Sequence, residues 1–251
     1  MCYDIKASLE SQLKRAKRKG DLQAIEEIRE RLVPLTDLPL FHASGFSHPE
    51  LLIYTGESPE FPVVATWGLI PHWVSNQEQK NKIWNNTLNA RGETIFDKPS
   101  FREAAKSNHC IIYVDGFYEH HHFEGKTYPF YIARKNMQPL ALAGLYNVWK
   151  NPNQGGSFNT FSIVTTKGNA LLSKIHNNPK LKEPRMPLIL NETSEDLWLE
   201  SYSKACTKKL IKSFPSEELR YHTVGRLRGK GYIGNVEDVS KAFIYEELDF
   251  N

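Results

Sequence analysis

Six stretches between residues 51 and 166 constrain the fold more than any other feature: LLIYT (51–55), FPVVATWGLI (61–70), HCIIYVDGFYEH (109–120), YPFYIAR (128–134), PLALAGLYNVW (139–149) and NTFSIVTT (159–166). Each is rich in β-branched and aromatic residues, which suit a pleated, half-buried surface. Turn-forming residues separate them, among them Glu124-Gly125-Lys126 and the stretch NPNQGGS at 151–157. Short strands at this density predict a mainly antiparallel, partly closed β-sheet core.

Helices are expected around that core. Leu9, Leu13 and Ala16 recur at helical spacing, and so do Leu22, Ile25, Ile28 and Leu32. Gly20-Asp21 between the two runs supplies a helix stop followed by an N-cap, so residues 6–33 read as an αα-hairpin with charged outer faces. Further helical pieces are expected at GNALLSKI (168–175), TSEDLWLESY (193–202) and CTKKLIKSF (206–214), with a capping-box spacing from Thr193 to Asp196. Nothing repeats and no composition break marks a second unit. The expectation is one α+β domain over 1–251 with peripheral helices and a helical hairpin inserted at about 6–33.

Composition narrows the function classes. With 40% hydrophobic and 24% charged residues the chain can bury a core. No apolar run approaches the roughly 20 residues of a membrane span, and no signal-peptide core follows MCYDI. Three cysteines, Cys2, Cys110 and Cys206, make no disulfide framework, which points to a reducing, cytoplasmic setting. The chain is expected to act as a monomer, and no cofactor is expected. The net charge of +3 is compatible with nucleic acid, and much of the positive charge is local, in KRAKRK (14–19) and GRLRGKG (225–231).

Five short segments carry candidate chemistry. Cys2 in MCYDI would present both a free α-amine and a thiol once Met1 is removed, although a chance residue near a frayed end explains it as simply. LNARGET (88–94) offers the amide of Asn89, the guanidinium of Arg91 and the carboxylate of Glu93; alone it reads as a capped turn with a surface salt bridge. IIYVDGFYEHHH (111–122) is an apolar strand that ends with Glu119 beside aromatic rings, a setting that raises a carboxylate pKa. Its three consecutive histidines alternate faces, so no metal site is expected there. SIVTTKGNALLSKIH (162–176) runs through Thr165-Thr166 into a helix ending at His176, and NNPKLKEPRMPLIL (177–190) then brings Arg185 close in sequence. WGLIPHW (67–73) sets Trp67 and Trp73 around a Gly/Pro loop, either as core or as a stacking platform for unpaired bases.

Taken in order, Cys2, WGLIPHW, LNARGET, DGFYEH, the Thr-Thr turn, a helix ending Ile-His and the Arg-Met-Pro segment resemble the SRAP (SOS response-associated peptidase) family, from Cys2 to about Leu190. Members of that family crosslink to abasic sites in single-stranded DNA. The resemblance implies that Cys2 is the nucleophile, Asn89 positions the reacting groups, Glu119 is the acid–base residue and His176 a second proton carrier. It further implies that Arg91 and Arg185 hold DNA phosphates, that Trp67 and its loop, with Trp73, lie against bases, and that Thr165 and Thr166 belong to the DNA contact. Abasic single-stranded DNA is then the expected partner, with the protein at the nucleoid when bound. Three departures stand out: the 6–33 insertion, the residues NNPKLKEP (177–184) between His176 and Arg185, and LFHASGF (40–46) in place of a proline-aromatic segment.

The chemistry of residue 2 fits that implication. A primary amine condenses with the aldehyde of an opened abasic sugar, and a thiol two carbons away can close a thiazolidine ring on the imine. Ordinary pKa values of about 8 for the amine and about 8.5 for the thiol leave a reactive fraction of each near neutrality. The same groups could hydrolyse a peptide, with Met1 as the expected target. An N-terminal-cysteine amidohydrolase and a passive single-strand binding module are the alternatives.

Overall fold

A computed structural model describes residues 2–151, 155–201, 203–248 and 250. In chain order they form strands β1 (Asp4–Ala7), β2 (Leu40–Ser44), β3 (Glu50–Thr55), β4 (Val63–Trp67), β5 (Asn89–Arg91), β6 (His109–Val114), β7 (Gly116–Phe123), β8 (Lys126–Arg134), β9 (Leu140–Asn151), β10 (Gly156–Lys167), β11 (Arg185–Pro187), β12 (Ile189–Leu190) and β13 (Leu219–Thr223). All six sequence-predicted segments contribute strands. The turn expected at 151–157 lies partly outside the described residues.

β3, β4, β6, β9 and β10 close into a ring. β4 pairs with β3, β3 with β6, β6 with β9 and β9 with β10, all antiparallel, and β10 returns to β4. A ring with an odd number of strands cannot alternate direction throughout, and the β4–β10 pairing is accordingly parallel. Closure removes the open edges that short strands would otherwise expose. β5 and β11 pair with the far end of β10, and β12 with β9.

The second sheet is antiparallel, in the order β13-β8-β7-β1-β2. Its inner face supplies Ile5, Phe117, Phe130 and Ile132 to one core with Leu51, Ile53, Ile112, Leu142 and Ile163 of the ring. Burying each such side chain contributes roughly 1.5–3 kcal/mol. The protein is an α+β fold with a mainly antiparallel, partly closed β core, as the sequence predicts.

The hairpin starts later than its periodicity indicates. Lys6 and Ala7 belong to β1, because pairing to β7 on one side and β2 on the other outweighs local helical preference. Helices then run over Leu9–Gln12, Lys14–Lys19 and Leu22–Glu27. Ser8 caps the first through the Ser11 N–H (3.1 Å), and Asp115 accepts hydrogen bonds from both the Ser8 N–H (2.6 Å) and hydroxyl (2.9 Å). Gly20 takes the left-handed conformation (φ 71°), and Asp21 accepts from the Ala24 N–H (2.9 Å), as expected of a stop and a cap.

The charges of KRAKRK are not simply an outer face. Arg15 is buried and pairs with Asp196, while Arg18 reaches Asp196 (3.2 Å) and Glu195 (3.4 Å). Leu13, Ala16, Ile25 and Ile28 pack on Leu52 of β3. The run therefore docks the hairpin onto the helix Glu192–Leu199. That helix is capped by a box of Asn191 and Ser194, not Thr193 and Asp196: Asn191 stands one residue before the first helical turn, and Asp196 is occupied by the hairpin arginines. The two other expected helices run over Ala170–Ile175 and Lys204–Leu210. Among the described residues no helix is long and apolar enough to cross a membrane.

Candidate functional site

IIYVDGFYEHHH is not one strand. It breaks at Asp115, so that β6 stays in the ring and β7 enters the second sheet. β1 pairs beside β7 with Asp4 opposite Tyr118. One step further along β7 lies Glu119, level with the short segment that leads into β1. Cys2, fully buried, sits there with its Sγ 3.8 Å from the Asp4 carbonyl oxygen.

Asn89 opens β5 and is fixed by pairing to Ile163 of β10. Its Nδ2 donates to the Cys2 carbonyl (2.8 Å), which pins the backbone at residue 2. Its buried Oδ1 accepts no hydrogen bond among the described residues and is an uncompensated acceptor.

His176 follows the helix Ala170–Ile175, whose N-cap Asn169 accepts from the Leu172 N–H (2.9 Å). Its Nδ1 lies 3.1 Å from the Arg185 carbonyl oxygen and 3.8 Å from Glu119 Oε1. A carbonyl only accepts, so Nδ1 carries the hydrogen in the neutral ring. Residues 177–184 are exposed or half-buried, and Asn178 and Leu181 among them line the same pocket as His176. Asn177 secures their start, accepting from the His122 N–H (2.7 Å) and donating to the His122 carbonyl (2.9 Å).

Burial sets the electrostatics. It raises the Glu119 carboxyl to about 7 and lowers the His176 imidazole to about 4. Near neutrality Glu119 is present in both protonation states and His176 is a neutral ring. Burial, with Glu119 next in effect, pushes the Cys2 thiol well above its ordinary value. The ready thiolate fraction expected from ordinary pKa values is therefore absent, and the thiol needs a base. A pocket of about 450 Å³ opens here, lined by Tyr3, Asp4, Glu119, His120 and His176 together with Arg226 and Arg228.

The expected nucleic-acid contacts divide. Arg91 is exposed, and its charge reaches the Tyr3 phenol. Trp73 is 44% exposed. Arg185 is fully buried, forked onto Glu93 (2.8 and 2.8 Å) with Glu183 at 3.1 Å and the Thr165 carbonyl at 2.9 Å. Two carboxylates occupy that guanidinium, so it faces no phosphate in this conformation, and Glu93 pairs with a buried arginine from outside LNARGET, not in the surface salt bridge that the simpler reading expects. Trp67 is also fully buried: the alternation of β4 turns Ala65 and Trp67 inward, and its indole N–H donates to the Leu88 carbonyl (2.8 Å). It is core, with no ring face for a base. Thr165 and Thr166 are buried in β10. The adjacent turn is tight, since Gly68 (φ 121°) would place a Cβ 2.7 Å from the Trp84 ring.

His121 donates from Nδ1 to the Lys174 carbonyl (3.1 Å). Among the described residues no group of three or more His, Cys, Asp and Glu is placed to hold a metal ion. A second polar cluster has no counterpart among the sequence candidates. The Asp4 carboxylate meets His42 Nε2 (3.0 Å) and Arg228 Nη2 (2.7 and 3.0 Å), and His42 Nδ1 lies 2.9 Å from the Tyr232 hydroxyl. Its members are scattered along the chain, and the segments that hold them, MCYDI, LFHASGF and GRLRGKG, carry no signal that joins them.

The chain is 36% identical over 164 residues to abasic site processing protein YoqW of Bacillus subtilis, covering 64% of this chain and 68% of that one. It is 28% identical over 187 residues to abasic site processing protein HMCES of Pongo abelii, covering 63% of this chain and half of that protein's length. A crystal structure of a Bacteroides thetaiotaomicron protein superposes with a TM-score of 0.82 at 33% identity, over 97% of this chain and 100% of the other. The model of the SOS response associated peptidase (SRAP) family matches residues 23–230, and the chain belongs to that family.

Proposed function

We propose that this chain processes abasic sites in single-stranded DNA by bonding to them covalently through Cys2. The observation that carries this proposal is the meeting of Cys2, Asn89, Glu119 and His176 at the start of β1, beside a pocket wide enough for a sugar. The names of the relatives point the same way.

Removal of Met1 frees the Cys2 α-amine. Its lone pair attacks the aldehyde carbon of the opened sugar and gives a carbinolamine. Protonated Glu119, well populated at a pKa of about 7, gives a proton to the departing hydroxyl, which leaves as water. The Cys2 sulfur then adds to the imine carbon. Its proton passes to the Glu119 carboxylate or to neutral His176, and the imine nitrogen takes one up as the ring closes. The balance is aldehyde plus aminothiol giving thiazolidine plus one water. Asn89, held on the Cys2 carbonyl, offers its unpaired Oδ1 to the amine or the carbinolamine hydroxyl, aligning both without adding charge.

An unpaired strand is the easier substrate, because a duplex would have to extrude the nucleotide. Exposed Arg91 and Trp73 serve as phosphate and base contacts. Autoproteolytic removal of Met1 by the same residues belongs to this proposal, whereas general proteolysis does not.

Denaturing electrophoresis with a single-stranded oligonucleotide bearing one abasic site tests it. The wild-type chain gives a heat-stable adduct, whereas Cys2→Ala and Cys2→Ser, which keep the α-amine and lose the thiol, give at most an imine that heat reverses. A Cys2→Ser adduct as heat-stable as wild type excludes the thiazolidine.

A further inference from the structure

The outer face of the five-stranded sheet is crossed by the segment 224–243. Leu227 and Val239 of that segment are buried against Tyr118 and Tyr131 of the sheet. Because Leu227 is held inward, its neighbours Arg226 and Arg228 turn out, and both line the pocket that holds Glu119 and His176. Arg228 keeps Nη2 on the Asp4 carboxylate while its side chain stays 57% exposed, so the rest of its fork is open to solvent. Arg226 makes no hydrogen bond among the described residues.

The acids at this pocket are Asp4 and Glu119. Asp4 is matched by Arg228 and His42, and near neutrality Glu119 is only partly charged. The mouth of the pocket therefore carries surplus positive charge on a segment anchored at Leu227 and Asp4. Arg185, by contrast, is sealed against Glu93 and Glu183.

We infer that Arg226 and Arg228 form a clamp for the phosphodiester flanking the sugar that reacts with Cys2. The assignment rests on the abasic-site proposal above and gives the backbone anion a site on the C-terminal segment. Fork geometry suits a phosphate, and a guanidinium already anchored by one nitrogen loses less freedom on binding.

The test uses the Cys2→Ala chain, which cannot form the adduct, and a fluorescent single-stranded oligonucleotide carrying a tetrahydrofuran abasic analogue. Anisotropy titrations between 50 and 200 mM salt yield affinity and its salt slope. Arg226→Ala and Arg228→Gln should each weaken binding by about 3–10-fold and flatten the slope by about 0.7, with the double variant near twice that. Lys209→Ala, which removes the same charge from an exposed helix position away from the pocket, should leave the slope unchanged. Arginine variants indistinguishable from Lys209→Ala, in a protein that still crosslinks when Cys2 is restored, overturn the clamp alone. A wild-type chain that neither binds nor crosslinks overturns the clamp and the abasic-site proposal together.

Discussion

In the proposed reaction Glu119 concentrates the chemistry and its cost in one side chain. Its carboxyl ionises near 7 in the fold against 4.5 when unperturbed, because burial disfavours the charge. The folded state thus binds a proton that the unfolded chain has released, and the fold loses stability as pH rises from about 4.5 through about 7. The gap between the two values is worth on the order of 3 kcal/mol at pH 8. Glu119→Gln should therefore raise the melting temperature at pH 8 and leave it nearly unchanged at pH 4, read by differential scanning calorimetry. The same variant should slow crosslinking by about 10²–10⁴-fold, as loss of an acid–base group does. An equal melting temperature at both pH values would show that Glu119 carries no buried charge. Asn89→Ala, which frees the Cys2 carbonyl, should slow single-turnover adduct formation by at least about 10-fold while DNA affinity measured in the Cys2→Ala background stays within about 2-fold. At this scale the motifs named four residues that the fold does bring together, Cys2, Asn89, Glu119 and His176. Trp67 and Arg185 show the limit of that logic. Both sit in recognisable motifs, yet strand alternation and two nearby carboxylates turn them inward.

Among the elements, β1 matters most to the site and was the hardest to read. DIKA is four residues long and half charged, with no pattern to separate it from the helix that follows. It is a strand because β2 and β7 flank it, a fact of tertiary pairing. The break at Asp115 is similarly non-local: that residue caps the hairpin at Ser8 while the chain passes between sheets. The hairpin itself was visible in its periodicity and in Gly20-Asp21. Its docking was not, because Glu195 and Asp196 lie far away in sequence. Glu195 is buried, accepts from the Tyr113 hydroxyl (2.6 Å) and faces Arg15 (3.7 Å) and Arg18. Removing one partner from such a cluster strands the others. Glu195→Ala should cost about 3 kcal/mol in urea unfolding, while the crosslinking rate of the folded fraction stays within about 2-fold of wild type. A large rate loss at full stability would place the hairpin in the site instead of the scaffold.

Across the whole molecule, a five-strand ring and a five-stranded sheet share one core, and their junction delivers groups from distant parts of the chain to one place. The ring supplies Asn89 through β10, the second sheet supplies Glu119 and the entry to β1, and the connecting helix supplies His176. The segment after β13 closes the outer face and brings Arg226 and Arg228 to the same pocket. Intact mass spectrometry after mixing the chain with a single-stranded oligonucleotide carrying one abasic site tests this account most directly. It predicts one stable species with the mass of the chain lacking Met1 plus the DNA, less one water. A chain that has lost Met1 and still forms no adduct would contradict it.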